Sequence, residues 1–281
     1  MKPIRLIRAV SAQTGRGPGN GQYALQKVLR EFGPPWLRIG GILQKKEIPW
    51  FWCWEDGEAA ALCARTGQPF VAGPNILFAQ SRQPCHNEAE RAICAAASCR
   101  LLFTESHWYR RLIEQYRGPA NRAPLVVWPY PIDPHPGGPL PAEHDLLIYE
   151  KSGVAAETVA RLQQAWPRSV VIHYGRYRRD DLIQAARRSR CCAYLSDDDR
   201  GPLALAEILL SGCPAVGIPR GAPFIRPGRT GVLLDRLDGQ ACVEAVAQCR
   251  LLDRKAVGAV AARQFDARRI VGIIVAALGE V

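Results

Sequence analysis

Apolar and polar positions along this chain fall into short blocks that switch repeatedly between a strand-like and a helix-like period. Residues 4–10, 37–43, 49–54, 69–72 and 100–104 are compact apolar runs bounded by Gly, Pro, Asn or charged residues, and read as buried strands. Residues 22–31, 58–65, 88–97 and 105–116 repeat their apolar positions every three or four residues, and read as amphipathic helices. Residues 134–143 then carry Pro and Gly with few large apolar groups, a linker composition. A second series follows: strands at 146–149 and 169–173, helices at 154–165 and 179–188, and closing helices at 239–251 and 267–278. Strands alternating with helices predict parallel sheets covered by helices. The composition break divides them into an α/β domain over 1–134 and another over 135–281.

The densest pattern lies at 191–234, CCAYLSDDDRGPLALAEILLSGCPAVGIPRGAPFIRPGRTGVLL. A strand at 191–195 runs into the acidic turn Asp197, Asp198, Asp199, and Gly201-Pro202 open a helix that ends at Ser211-Gly212. A strand at 214–218 follows at once. This is one right-handed βαβ unit, whose ligands bind beyond the carboxyl ends of the strands. Asp199 in the turn and Glu207, two helical turns inside, can both face a polyhydroxylated ligand lying across the helix N-terminus. The N–H groups of Arg200, Leu203 and Ala204 would meet its phosphates.

An acid, seven residues, a Glu inside GPLALAE, then SGCPAV and a glycine turn resembles the nucleotide-sugar motif of GT-B glycosyltransferases, especially the retaining family 4 type. The resemblance implies an α/β GT-B fold, two Rossmann-like domains facing each other across a cleft, with the C-terminal helix crossing back. It implies acceptor binding in 1–134 and donor binding in 135–281. It also implies the catalytic pair: the first acid, Asp199 here where the family usually has Glu, on the donor sugar hydroxyls, and Glu207 on the ribose. Lys151 corresponds to a basic residue on the diphosphate; the Arg that usually precedes it is absent. Gly175 and Arg176 fall where the base is held by backbone contacts, and Gly201, Pro202 and Leu203 form the helix entry beside the donor.

Nearer the N-terminus, Gly15, Gly17, Gly19 and Gly21 lie between a strand and a helix and allow close backbone approach to a ligand. Their spacing is not that of a dinucleotide fingerprint, and no acid ends a second strand at the usual distance, which argues against an NAD enzyme. In family 4 such a loop lies over the donor phosphates, which makes Gly17 and Gly19 donor-site candidates. LLFTESHWYRRLIEQY at 101–116 and PLVVWPYPID at 124–133 resemble elements near the end of that family's N-terminal domain. Asn75, at the end of a predicted strand, and His107 are the acceptor-site candidates. An inverting enzyme would need a base there, from His86, Glu88 or His107. The run Trp50-Phe51-Trp52-Cys53-Trp54 is most simply core, with one face able to stack on a sugar or base.

Composition adds the partners. The 281 residues carry 37 Lys plus Arg against 26 Asp plus Glu, a formal net charge of +11. That balance suits acidic partners: nucleoside diphosphates, anionic headgroups or nucleic acid. The longest apolar tract, 270–278, is too short to span a bilayer, and no cleavable leader precedes the first strand. The cysteines show no metal-binding spacing and read as buried thiols in a reducing cytoplasm. The Asp197–Asp199 run could instead bind a divalent metal as in GT-A enzymes, but those have one domain and do not place it ahead of a GPLALAE helix.

The expectation is therefore a cytoplasmic, metal-independent hexosyltransferase. It takes a UDP- or GDP-linked sugar as co-substrate, with no other cofactor, and transfers the sugar with retention to an acceptor hydroxyl. The acceptor would be a saccharide or a lipid-linked saccharide, the latter with peripheral association at the inner membrane face. Two alternatives stand beside it: a phage-type enzyme that glycosylates a modified DNA base, and a non-catalytic nucleotide-sugar-binding protein. Nothing in the pattern sets an oligomeric state.

Overall fold

The computed structural model describes residues 2–8, 21–74, 84–132, 138–152, 156–199 and 201–281. Chain contacts divide them into two compact units. One holds the first strand, Gln22–Tyr130 and Ala267–Val281; the other holds Pro131–Asp266.

The first unit is a six-stranded parallel sheet in the order β2-β1-β3-β4-β5-β6. Its strands are β1 (Ile4–Leu6), β2 (Leu37–Ile39), β3 (Ile48–Phe51), β4 (Phe70–Ala72), β5 (Cys99–Thr104) and β6 (Leu125–Val127). Between them run α1 (Gly21–Phe32), α2 (Cys53–Thr66), α3 (Pro84–Ala95) and α4 (His107–Tyr116). β3, β4 and most of β5 are buried on both faces, which is why they read as continuous apolar runs. Trp50, Trp52, Phe103 and Trp128 are fully buried core aromatics. The strand expected through residue 54 stops at Phe51, and α2 begins at Cys53. Just beyond the strand, Asp56 accepts a hydrogen bond from the Trp52 N–H at 3.3 Å and itself departs from helical geometry, at a kink early in α2.

Arg5 and Arg38 stand side by side in the β1–β2 register, a like-charge pair that would push the strands apart. Glu47, buried just ahead of β3, reaches both. It accepts from Arg5 Nε at 2.5 Å, from Arg5 Nη2 at 2.7 Å and from Arg38 Nη1 at 2.8 Å. Arg5 also bonds the Gly40 carbonyl. One carboxylate thus ties three strands at the start of the sheet.

The second unit is a five-stranded parallel sheet in the order β11-β10-β9-β7-β8. β7 (Leu146–Ser152), β8 (Ser169–His173), β9 (Cys192–Ser196), β10 (Ala215–Gly217) and β11 (Gly231–Leu233) alternate with α5 (Ala156–Ala165), α6 (Arg179–Arg188), α7 (Leu203–Leu210) and α8 (Gly239–Cys249). The chain order reverses between β7 and β9, so the topological switch point, where open α/β sheets bind ligands, lies at the ends of those two strands. β9, α7 and β10 form the βαβ unit read from the sequence, with β9 and β10 in parallel register.

The last helix, α10 (Ala267–Gly279), groups with the first unit, as the resemblance implied for the C-terminal helix. Two features differ from the expected trace. A helix α9 (Arg254–Gln264), capped by the Asp253 carboxylate on the Lys255 N–H, was not foreseen. The described part of the expected linker, residues 138–143, is strapped down. Leu140 and Glu143 donate to the carbonyls of Arg187 and Arg188, each at 2.8 Å, and Arg254 donates to the Leu140 carbonyl at 2.8 Å. A Pro/Gly-rich segment lacks side chains for a core, but its backbone is still satisfied.

Glu47 gives the first test. The Arg5 hydrogen bond, with Arg38 beside it, pulls its carboxyl down to about 2 from an ordinary 4.5. A carboxylate held this way contributes its full stability above pH 4.5 and loses it as the pH falls from 4.5 toward 2. Glu47→Gln should destabilise the fold by about 2 kcal/mol at neutral pH and flatten stability across that acid window. Urea unfolding of both proteins from pH 2 to 7 reads this directly.

Candidate functional site

β7 and β9 lie side by side with Tyr149 opposite Tyr194. Both are fully buried and their rings stack at 4.9 Å, 10° apart. Tyr177, from the turn ahead of α6, closes the group edge-on to Tyr149 at 5.8 Å, the two hydroxyls 3.0 Å apart. Burial pushes all three phenols well above the ordinary tyrosine range, so they stay neutral.

Asp199 rests on this aromatic floor, 6% exposed. Its Oδ2 accepts from the Tyr194 hydroxyl at 2.8 Å and lies 2.5 Å from Lys151 Nζ. Lys151 is on β7 itself, which runs three residues past the expected end at Tyr149. The register of β7 against β9 shifts between Glu150 and Ser152, an irregularity of the kind that re-aims side chains at sites. The other side of the ammonium covers the Tyr174 ring at 5.0 Å. Burial raises the Asp199 carboxyl above its ordinary range, and the charge and hydrogen bond of Lys151 and the Tyr194 hydroxyl pull it part of the way back.

Glu207 is fully buried. Because α7 begins at Leu203, with Pro202 at its cap, Glu207 sits about one turn inside the helix rather than two. Its Oε1 accepts from Arg179 Nε at 2.5 Å, Arg179 being the first residue of α6. Its charge and that of Asp199 both act on Tyr177, so the two acids share one floor. A third pair adjoins them: Arg220 Nη2 lies 3.2 Å from Asp198 Oδ2, and the Arg220 carbonyl accepts from the Asp199 N–H at 3.1 Å. Gly221 permits this approach, since a Cβ there would fall 1.7 Å from the Ser196 carbonyl oxygen at the end of β9.

The structure thus brings together Lys151, Asp199 and Glu207, with Gly201, Pro202 and Leu203 at the entry to α7. Gly175 adopts φ +75°, the left-handed turn that follows β8, and Arg176 is exposed on that turn. His107 belongs to the first unit, exposed on the first turn of α4, where Ser106 caps the helix by accepting from the Tyr109 N–H. Gly17, Gly19, Asn75 and Arg200 lie outside the described residues. Asp197 is exposed, Asp198 turns to Arg220 and Asp199 to Lys151. Among the described residues no group of three acidic, His or Cys side chains is arranged to hold a metal ion. The cysteine side chains described are buried free thiols. No described helix is long and apolar enough to cross a membrane.

Tyr149, Tyr194, Arg179 and Arg220 were not among the residues singled out from the sequence. One signal was present: a tyrosine near the carboxyl end of each of two apolar strands, LLIYEK and CCAYLS, where a fully apolar residue would serve a core as well.

No protein-family description matches this sequence, and no curated protein does. Solved structures do. The sucrose-phosphate synthase of Thermosynechococcus elongatus matches with a TM-score of 0.66 at 14% identity, over 98% of this chain and 97% of that one. The lipopolysaccharide outer core galactosyltransferase WaaB, in its apo form, gives 0.66 at 12% identity over 99% of each chain. Anabaena HepE in complex with UDP and glucose gives 0.64 at 12% identity over the whole of both. This chain has the GT-B fold. Within it, the Lys151–Asp199 pair and the head of α7 occupy the switch point of the second GT-B unit.

Asp199 carries a stability cost that its site makes visible. An acid whose folded value is raised binds its proton more tightly in the folded state. Its contribution is therefore full below the unfolded value of 3.8 and is lost as the pH rises through the folded value. Asp199→Asn, with no charge to bury, should be at least as stable as the parent at pH 7 and should remove that component of the pH dependence. Thermal melts from pH 4 to 8 are the measurement; a clear loss of stability at pH 7 would contradict it.

Proposed function

We propose that this chain is a glycosyltransferase that moves a hexose from a UDP- or GDP-sugar to an acceptor hydroxyl, with retention and without a metal. The observation that carries the reading is the convergence of Lys151, Asp199 and Glu207 on one neutral phenol floor at the switch point of a GT-B unit. The fold shared with glycosyltransferases supports it. The structure of HepE with UDP and glucose supports a UDP-hexose among the donors.

Glycosyl transfer requires a departing diphosphate to be stabilised as its bond to the anomeric carbon lengthens. Preorganised donors do this best in a site that excludes water. Lys151 supplies a fixed ammonium there. The first N–H groups of α7, at Leu203 and Ala204, have no helical partner, and the Pro202 cap offers them no side-chain bond. The motif assigns the ribose hydroxyls to Glu207, which is fully buried and paired with Arg179. With retention, the leaving phosphate oxygen accepts the acceptor's proton on the same face, so no separate base is needed. A saccharide is the acceptor class we favour, in keeping with the saccharide chemistry named for the similar structures. A non-catalytic GT-B-like nucleotide-sugar-binding protein is the second reading, favoured by the burial of both Asp199 and Glu207, which leaves little of either carboxylate to meet a donor sugar.

A thermal-shift series against UDP-, GDP-, ADP-, dTDP- and CMP-sugars tests the donor site. One series at 100-fold over its Kd should raise Tm by about 5 °C, and Glu207→Ala should abolish the shift. Slow release of free hexose from the same donor identifies an enzyme, and binding without release over hours identifies the second reading. No shift with any donor rejects both.

A further inference from the structure

We propose that Tyr194 and Asp199 are positioning residues that hold the Lys151 ammonium at the switch point, so that Asp199 serves the donor diphosphate through Lys151 instead of touching the donor sugar. This rests on the donor-site reading above and revises the role that the motif implies for Asp199.

Four observations carry it. Asp199 is buried almost completely, and one oxygen, Oδ2, takes both Lys151 Nζ at 2.5 Å and the Tyr194 hydroxyl at 2.8 Å. Tyr194 cannot swing away: it is fully buried on β9, and Tyr149 stacks on its ring. The Asp199 backbone is also fixed, its N–H on the Arg220 carbonyl. Lys151 is gripped from both sides, by the carboxylate and by the Tyr174 ring. An ammonium has three N–H donors, and the carboxylate takes one of them; the other two suit a phosphate oxygen.

The side chain is also the right length for this and the wrong length for the sugar. Aspartate is one methylene shorter than the glutamate usual in the family. Here the shorter stem keeps the carboxylate down on Tyr194 rather than extending it past the lysine. Tyr194 donates, Asp199 accepts and in turn anchors Lys151, so the hydroxyl acts on the phosphate through two intermediaries.

The test uses the full chain and isothermal titration with UDP, GDP, ADP and dTDP, each compared with its glucose conjugate. In the tightest-binding series, Lys151→Ala should weaken the diphosphate about tenfold. Asp199→Asn should weaken the diphosphate and the sugar conjugate by the same factor. Lys151→Ala combined with Asp199→Asn should be no weaker than Lys151→Ala alone, because the second change acts only through the first residue. Tyr194→Phe should weaken binding by a smaller factor and move its acid limb to higher pH. Among the described residues, the titratable groups acting on Asp199 include Lys151 and Tyr149 from β7, Tyr177 from the turn before α6, Tyr194 from β9 and neighbouring Asp198. Of these, the Tyr194→Phe change removes only a donor to the ionised carboxylate.

A loss confined to the sugar conjugate in Asp199→Asn would put the carboxylate on the sugar and overturn the proposal while leaving the donor site intact. Additive losses in the double variant, or parental binding in both Asp199→Asn and Tyr194→Phe, would overturn it in the same way. A parent that binds none of these ligands rejects the donor-site reading itself.

Discussion

A carboxylate taken out of water must find a cation and a hydrogen-bond donor or give up its charge. At the switch point of the second unit that constraint falls on Asp199, and the neighbouring structure is arranged around it. β7 has to extend to Lys151 and shift register there. β9 has to carry a tyrosine opposite Tyr149. The turn after β10 has to approach Ser196 so closely that only glycine fits at Gly221. The first two deliver partners to one buried oxygen, and the third brings the Arg220 carbonyl to the Asp199 N–H.

Electrostatically, the inner ring of the site is balanced. Lys151, Arg179 and Arg220 are matched by Asp199, Glu207 and Asp198. The net charge of +11 suggests an anion site held by surplus positive charge, but among the described residues these three cations are matched by three acids. A diphosphate placed here would have to share cations already engaged, so affinity would depend on where their remaining N–H donors point. Fixed donors beside buried carboxylates are worth more per contact than freely exposed lysines screened by salt. The arrangement also favours selectivity, because an anion of the wrong shape disturbs three pairs without replacing their bonds.

Local signals in the sequence reported what local interactions decide. The β9–α7–β10 unit was legible because its strands are apolar runs, its turn is acidic and glycine-bearing, and its helix ends at Ser211-Gly212. Glu207 was legible because it sits in a short motif. What stayed hidden was non-local. The stacking of Tyr149 on Tyr194 depends on the register of two strands with a helix, another strand and a second helix between them. The Arg179–Glu207 pair joins the first turn of one helix to the interior of the next. α9 was missed although Asp253 is a good cap, because its small apolar residues, Ala and Val, give little periodic contrast. The tightly bound segment 138–143 was hidden for a related reason: its partners are backbone carbonyls and arginines far along the chain, which composition does not report.

The substitution of Asp for the usual Glu looks, in sequence, like erosion of a motif. In the structure it reads as a different solution to the same problem. The aspartate lies against the Tyr194 hydroxyl and the Lys151 ammonium, and on the proposal above its charge serves to orient that cation. The preceding arginine, the family's usual second cation on the diphosphate, is absent from this chain. On the proposal above, more of the hold on the phosphate then falls to Lys151, and its orientation matters more. The shortened acid and the missing arginine are therefore best understood together, as one change in how the phosphate is held.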